Sequence, residues 1–427
     1  MIIEMFAESL FAVVDIFFVA HLGADAVAVV GLTESMMALV YAVAFGLAIG
    51  AAATVARRIG EKEPEGAANA ATHVIYLGLI VSLVMSIIFV TLAPMILSAL
   101  GAEPQVVELG VPFMRIMLGG NAAVVFLFLL NAIFRGAGDA AIAMKVLWLA
   151  NGLNMVLSPC FIFGVLFFPR MGVTGAAIGT TIGRSCGVLF AFWYLFRGEK
   201  RFHIHRHHWK VDVGRLWRLA RLSSTALLQM IVSTLSWSVL VRVVAGFASE
   251  AIAGYVVCMR VVIFALLPAL GLSNAAATMV GQNLGAGKPE RSEAAVWRAA
   301  IYNAVFYLMV GIVLLVFAHA IVSFFTTEPA VLEYGASGLH IIAFGFVFYG
   351  VGMVMETAFN GAGDTWTPTY INFVIFWLFE IPLAYVLAYY FDMGPRGVFW
   401  AITIAFSALA VVAGLFFKRG KWKLKKV

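Results

Sequence analysis

The chain has 427 residues, of which 63% are hydrophobic and only 12% are charged, and its formal net charge is +6. Soluble globular proteins carry about 25% charged residues, so this composition excludes a water-soluble enzyme with polar domain surfaces. The positive charges are confined to a few loops, so we expect no nucleic-acid partner. The composition predicts an all-α integral membrane protein that lies in the lipid bilayer.

Twelve stretches of mostly apolar residues are long enough to cross a membrane. An even number of spans places both termini on one side. Of the 28 Lys and Arg residues, 22 fall in the termini and loops of that side, and two fall in loops on the other side. Since cytoplasmic segments carry the excess of positive charge, we expect both termini in the cytoplasm and the protein in the cell (inner) membrane. The predicted spans are residues 2–20, 27–56, 67–100, 106–134, 140–168, 172–196, 213–245, 250–284, 292–325, 331–360, 366–391 and 397–417.

An internal repeat divides the chain into two halves. The string Gly-Ala-Gly-Asp at 136–139 recurs at 361–364, and Ala-Ala-Ala-Thr at 51–54 recurs at 275–278. These spacings of 225 and 224 residues predict two pseudo-symmetric lobes of six helices each, related by a parallel repeat. We expect an N-lobe over residues 1–198, a basic cytoplasmic linker over 199–212, a C-lobe over 213–417 and a basic cytoplasmic tail over 418–427.

The first predicted helix carries three acidic residues on one face. Glu4, Glu8 and Asp15 are four and seven residues apart, so they line up at 100° per residue, and Glu34 of the second helix could face them. Carboxylates at membrane depth are costly, and a group of them cannot all stay ionised. At least one is therefore expected to exchange a proton or hold a cation, with Asp15 the strongest candidate. Alternatively, Glu4 and Glu8 are hydrated at the cytoplasmic interface.

The second half lacks this acidic stripe, because Glu4 corresponds to Gln229 in the repeat. Glu356 and Glu380 are isolated acids within its spans. Arg242 or Arg260 could pair with them, so structural ion pairing is the expected role of these two acids.

Motifs of catalysis are incomplete or absent. The segment Gly281–Lys288 resembles a phosphate-binding loop, but Gln282 stands where the first glycine is required and Pro289 replaces the Ser or Thr. The sequence therefore predicts neither an enzyme nor a bound cofactor. A histidine cluster within the basic linker could hold a metal, although contact with lipid headgroups is the favoured interpretation. Its members are His203, His205, His207 and His208.

Three features together resemble the multidrug and toxic-compound extrusion (MATE) family: the run Asp15–Gly31, the segment Gly281–Arg291 and both Gly-Ala-Gly-Asp loops. The likeness covers nearly the whole chain and is closer to the DinF-like branch, in which the N-lobe carries the coupling site. It implies that the two lobes surround a central V-shaped cavity. It also implies antiport of organic cations against protons or sodium ions.

The resemblance assigns candidate cation-coupling residues in the N-lobe. The family's first-helix Asp matches Asp15 and its fifth-helix Asn matches Asn154. The fifth-helix Asp of the family is Ser158 here, and Thr180 or Thr181 could supply a hydroxyl from the sixth helix. Glu4, Glu8 and Glu34 could replace the missing fifth-helix charge. No metal site is certain, although sodium could bind at Asp15 and Asn154.

In the sodium-coupled branch of the family the C-lobe also carries acids. Those positions correspond to Gln229 and Tyr349 here, and Glu356 lies near them in the sequence. Together with Arg260, these residues are the candidates for the substrate cavity on the C-lobe side.

The leading hypothesis is a secondary antiporter that exports organic cations, drugs or metabolites by alternating access, coupled to H⁺ or Na⁺, and that is a monomer. One alternative is a flippase for lipid-linked precursors on the same architecture, which would need cationic residues in the cavity. Another is a membrane scaffold or sensor that transports nothing. The cationic residues within spans are Arg115, Arg184, Arg242 and Arg260.

Overall fold

The computed structural model describes residue 22 and residues 24–165, 168–197 and 204–425. This part of the chain is almost entirely helical, and eleven helical stretches in it are long and apolar enough to cross a membrane. One of these stretches, residues 104–136, consists of two helices separated at Gly120. The prediction of an all-α membrane protein is therefore confirmed. The first predicted span, residues 2–20, lies outside the described residues.

The helices closely follow the predicted spans. We number them in chain order, and from α5 onward the number equals that of the predicted span. The helices of the first half are α1 (Ala24–Gly60), α2 (Pro64–Ala99), α3 (Pro104–Gly119), α4 (Asn121–Gly136), α5 (Ala140–Phe163) and α6 (Gly172–Arg197). Those of the second half are α7 (Val213–Val244), α8 (Ser249–Gly285), α9 (Pro289–Ser323), α10 (Pro329–Gly361), α11 (Trp366–Tyr390) and α12 (Pro395–Lys418).

Proline and glycine set several helix boundaries. Five helices begin with proline, whose fixed φ suits the first turn and whose missing N–H would be unpaired there in any case. The predicted span 140–168 was wrong at its end. The helix stops at Phe163 because Gly164 adopts a left-handed conformation with φ +72°. The predicted span 106–134 is broken at Gly120 into α3 and α4.

Helix α11 is irregular. Two stretches, Phe373–Glu380 and Val386–Tyr390, are π-helical, and five residues of α-helix separate them. Pro382 offers no N–H to the preceding turn, so the regular bonding of an α-helix cannot continue past it. π-Helical turns are rare and are frequently found at functional sites.

The structure divides into two compact units, and the boundary lies within α7, between residues 227 and 228. The same pairs of helices pack in both units. In the first, α1 packs against α2 and α4, and α5 against α6. In the second, α8 packs against α9 and α10, and α11 against α12. This agreement confirms the predicted two-lobe fold class.

A short basic 3₁₀ segment follows the helices of each half and folds back onto them. In the first unit, Arg206–Trp209 lies against α2, where the Tyr76 hydroxyl donates to the carbonyl of Trp209 over 2.9 Å. In the second unit, Lys421–Leu424 places the buried Trp422 ring on Phe417, with centroids 4.6 Å apart. Nearby, Lys425 forms an ion pair of 3.0 Å with the buried Asp364.

Candidate cation and substrate site

Three of the predicted coupling residues meet inside the first unit. The Ser158 hydroxyl donates to Oδ1 of Asn154 over 2.5 Å, and the Thr180 hydroxyl donates to the same oxygen over 3.2 Å. All three side chains are buried. Asn154 is therefore the centre of a buried polar cluster that joins α5 to α6, and its role in cation coupling stays a prediction.

A glycine stripe on α6 brings these residues together. The stripe consists of four glycines spaced four residues apart, so they lie on one face of the helix. A Cβ added at Gly179 would lie 2.8 Å from the Cα of Ser158, and one at Gly183 would lie 2.7 Å from the carbonyl oxygen of Ala150. Small residues at this spacing allow membrane helices to approach closely. The four members are Gly175, Gly179, Gly183 and Gly187.

The acidic part of the predicted coupling site is only partly visible. Asp15, Glu4 and Glu8 lie outside the described residues, so their position relative to Asn154 stays a prediction. Glu34 lies on α1 and is exposed in the structure. Thr181 directly follows Thr180 and is half-buried. Its side chain lies against Gly120. Thr180 is therefore the residue that supplies the sixth-helix hydroxyl of the cluster.

A second polar cluster lies within the second unit. The Asn372 amide donates to the Ser233 hydroxyl over 3.1 Å and also hydrogen-bonds the Glu356 carboxylate. The Ser233 hydroxyl donates in turn to the carbonyl of Gln229 over 3.1 Å. The structure thus links the Glu356 carboxylate, through Asn372 and Ser233, to the backbone carbonyl of Gln229.

Asn372 and Ser233 were missed by the sequence reasoning. Asn372 is 2% exposed and stands in an otherwise apolar stretch of α11, which is the signal that could have identified it. Ser233 carries a weaker signal, because serine within a membrane helix usually bonds to its own preceding turn.

The other predicted C-lobe residues do not join this cluster by hydrogen bonds. The Tyr349 ring packs edge-on against Phe406, with centroids 4.2 Å apart. Its hydroxyl lies within electrostatic range of both Glu356 and Glu380. Arg260 is exposed. Within the described ranges neither acid forms an ion pair, so the expected pairing with Arg242 or Arg260 has no support.

Two of the linker histidines, His207 and His208, contact Glu65 near the start of α2. Glu65 accepts from Nε2 of the buried His208 over 2.6 Å, and Nε2 of the exposed His207 lies 2.9 Å from the same oxygen. These three groups are close enough to share a metal ion. However, Nδ1 of His208 accepts the backbone N–H of His205, so the proton of neutral His208 resides on Nε2 and blocks that ligand position.

Asp212, which follows these histidines in the chain, caps the start of α7. Its carboxylate accepts the backbone N–H of Arg215 over 3.1 Å, and this bond lowers the pKa of Asp212. In the same turn, the backbone N–H of Asp212 donates to Nε2 of His73 on α2. The described part of the linker is therefore held on α2, and contact of its exposed basic residues with lipid headgroups stays a prediction.

Eleven stretches long and apolar enough to cross a membrane, arranged in two units that pair their helices in the same way, are the architecture of a polytopic membrane protein built from a repeat. The family model MatE matches residues 1–160 and 226–386, and the chain belongs to this family. Its members are transporters, so the chain is not an enzyme, as predicted.

Individual relatives agree with this assignment. The probable multidrug resistance protein NorM of Thermotoga maritima is 26% identical over 424 residues, which cover 99% of this chain and 91% of that protein. The FAD transporter of Shewanella oneidensis is 27% identical over 396 residues, which cover 92% and 87%. A solved structure described as a crystal structure of the MATE P26A mutant has a TM-score of 0.93 at 27% identity and covers 100% of this chain and 95% of that one.

Proposed function

We propose that this protein is a secondary antiporter that exports organic cations, drugs or metabolites in exchange for protons, or alternatively for sodium ions. The observation that carries the proposal is the convergence of Asn154, Ser158 and Thr180 in the half where the sequence places Asp15. Several relatives that match nearly the whole chain are named multidrug resistance or multidrug export proteins.

The coupling step would work through the charge of Asp15. When this carboxylate is ionised, it favours a cationic substrate in the cavity. Entry of a proton neutralises the carboxylate and thereby changes the relative stability of the two lobe arrangements. Asn154 would orient Asp15 through its amide N–H groups, since its Oδ1 already accepts two hydroxyl protons.

Several further properties belong to the same proposal. The protein would be a monomer in the inner membrane with both termini in the cytoplasm, because the positive charges concentrate on that side. The N-lobe site would place it in the DinF-like branch. On the other side, Glu356 and its partners would contribute to the substrate cavity.

The flippase alternative finds little support from the intramembrane arginines of the first unit. The Arg184 guanidinium donates to the Tyr41 hydroxyl over 2.9 Å, and Nε of Arg115 donates to the carbonyl of Val90. Groups with these partners are less available to a pyrophosphate.

The test is uptake of a fluorescent organic cation into inside-out vesicles, driven separately by a proton gradient and a sodium gradient. Wild type, Asp15→Asn and the control Glu103→Gln would be compared, because Glu103 is an exposed acid at the start of α3. We expect proton-driven uptake by wild type and by the control, and its loss in Asp15→Asn.

Each other outcome changes a specific part of the proposal. Uptake driven only by sodium would overturn the choice of ion. Full uptake by Asp15→Asn would move coupling away from the N-lobe. No uptake under either gradient by folded protein would favour another substrate, and a flavin nucleotide would be tried next because one relative is named as an FAD transporter.

A further inference from the structure

A groove lies where the end of α8 meets the start of α9, and the clusters described above do not use it. Its volume is about 670 Å³, within the range of about 300–1,000 Å³ that is usual for small-molecule sites. The lining residues recur every three or four positions along each helix, so one face of each helix forms one wall. They are Met279, Gln282, Asn283 and Ala286 from α8, and Arg291, Ala294, Ala295 and Arg298 from α9.

The groove carries unbalanced positive charge. Arg291 and Arg298 stand two turns apart on one wall and are both exposed. Among the described residues no Asp or Glu lines the groove, and neither arginine forms an ion pair. Two acids lie nearby on α9, but Glu293 is paired with Lys423 of the tail, and Glu290 is exposed outside the groove. The two guanidinium groups are therefore available to an anion.

The matching place in the first half contains its own counter-ion. Helices α1 and α8 end 225 residues apart, so Ala286 corresponds to Glu61. The Glu61 carboxylate pairs with Arg58 over 2.7 Å and with Arg57 over 3.8 Å. In the second half a methyl group takes the place of this carboxylate. An anion that balances the groove would therefore come from outside the described chain.

Beyond the arginines, the same face of α9 is apolar and open. Val305 and Ile312 continue the series of Arg291 and Arg298 at intervals of seven residues, which is two turns with a drift of only about 20° per step. Their side chains are 50% and 52% exposed. A ligand that fills the groove and follows this face is anionic at one end and apolar along the rest. Exposed neighbours on the same face are Ile301, Tyr302, Leu308 and Met309.

We infer that this groove binds the headgroup of an anionic phospholipid, whose acyl chains lie along the apolar face of α9. Arginine pairs with phosphate oxygens through two parallel hydrogen bonds, and basic pockets between membrane helices suit acidic headgroups. The distribution of Lys and Arg along the chain predicts that this end of α9 is cytoplasmic, where anionic lipids attract basic residues. A free phosphate would pair with the arginines but leave the apolar face unused. The inference does not depend on the transport proposal.

The test measures lipid binding to the full-length protein in a non-ionic detergent, after its own lipids have been removed. Dioctanoyl phosphatidylglycerol and dioctanoyl phosphatidylcholine are titrated in separately, and native mass spectrometry gives the bound fraction. We expect the wild type to bind phosphatidylglycerol at least about tenfold more tightly, because the zwitterionic headgroup has no net charge for the arginines to attract. Equal binding of the two lipids would overturn the inference.

Two sets of variants locate the site. The preference for phosphatidylglycerol should disappear in the double variant Arg291→Gln, Arg298→Gln. The control Arg218→Gln, Arg221→Gln removes two exposed arginines near the start of α7, on the same predicted side of the membrane, and should keep the preference. An equal loss in both double variants would show that positive charge acts diffusely and would overturn the assignment to this groove.

A second change keeps the test decisive if the double variant does not fold. Ala286→Glu places in the groove the acid that the first half carries, so phosphatidylglycerol should bind about tenfold more weakly. Ala286→Gln adds a side chain of the same size without the charge and should bind as wild type does. Ala286 is exposed, so both side chains have room. Unchanged lipid binding in Ala286→Glu would contradict the inference.

Two competitors distinguish a lipid from a soluble anion. Inorganic phosphate and glycerophosphoglycerol, the headgroup without its acyl chains, should displace the bound lipid at least about a hundredfold less effectively than phosphatidylglycerol itself, because neither buries apolar surface along α9. Displacement by either one at the concentration of the lipid would identify the occupant as a soluble phosphate and overturn the lipid assignment.

Discussion

Among the described residues, the polar cluster of the first half is neutral and its central acceptor is occupied, whereas that of the second half is acidic and leaves acceptors open. In the first, both hydroxyl protons are donated to Oδ1 of Asn154. In the second, Oε1 of Glu356, Oδ1 of Asn372 and Oε1 of Gln229 are buried without a partner among the described residues.

The difference suggests that the polar clusters of the two repeat halves have different roles. A neutral cluster whose central acceptor is already occupied holds two helices in a fixed geometry, so its loss should reduce stability in addition to any effect on coupling through Asp15. A cluster with a buried acid and free acceptors can bind something further, so its loss should reduce function more than stability.

Among the residues of these two clusters, the largest effect is expected for Glu356→Gln. Because this substitution removes the charge but keeps the shape, cation uptake into vesicles should fall about tenfold, while the melting temperature stays the same or rises. The matched control is Glu333→Gln, which removes an exposed acid of the same helix and should retain uptake. A large drop in melting temperature with normal uptake would reverse the roles of the two clusters.

Asn154→Leu tests the neutral cluster. The hydroxyls of Ser158 and Thr180 lose their shared acceptor, so the free energy of unfolding should fall by about 1–2 kcal/mol. Thermal unfolding in detergent measures the change. Asn151→Leu, one turn earlier on α5 and only half-buried, should cost less. Equal losses in the two variants would mean that the cluster contributes nothing specific to stability.

A third comparison concerns Lys62 and Gly287, which are 225 residues apart and end α1 and α8 in the same way. Both residues are left-handed, with φ of 59° and 68°. Since this conformation strains any residue except glycine, Lys62→Gly should stabilise the protein by about 1 kcal/mol.

The reverse change, Gly287→Ala, should destabilise it by a similar amount, since a Cβ there meets nothing within 4 Å and only the backbone strain remains. Thermal unfolding of both variants in the same detergent checks the pair. If both variants raised the melting temperature, or both lowered it, the proposed equivalence of the two helix ends would be contradicted.

The smallest effect is expected for Ser158→Ala. It removes one of the two hydrogen bonds to Asn154, and such bonds in membrane proteins average about 0.6 kcal/mol. The melting temperature should drop by roughly 2 °C. A drop as large as that of Asn154→Leu would show that Ser158, not Asn154, is the centre of the cluster.

Much of the fold could be predicted because long apolar spans and an exact repeat leave few alternatives. The end of the predicted span 140–168 was wrong because of a single residue. Gly164 stops the helix inside an apolar run whose composition continues, so a count of apolar residues misses it. Gly120 separates α3 from α4, but the predicted span 106–134 remains one stretch long enough to cross a membrane. The π-helical turns of α11 could not be predicted either. Pro382 predicts that the α-helical hydrogen bonding is interrupted, but not that π-helical turns replace it.

The candidate site was predictable in part. Asn154, Ser158 and Thr180 follow from the resemblance, and the glycine stripe of α6 explains their approach. The link between Glu356 and Asn372 joins two different helices. The sequence periodicity of one helix shows which of its faces is buried but not which helix packs against it, so this contact could not be predicted. Isolated acids such as Glu380 suggested ion pairs, yet the structure surrounds that residue with aromatic rings instead.

The docked segment at the end of α12 provides an optical reporter. Trp422 is fully buried and stacked on Phe417, and its indole N–H donates to the carbonyl of Phe417 over 2.9 Å. Lys423 and Lys425 connect the same segment to Glu293 and Asp364. Any rearrangement that detaches it exposes an indole to water and shifts its emission to the red. With the other nine tryptophans replaced by phenylalanine, emission would therefore follow the state of this end of the second unit in real time.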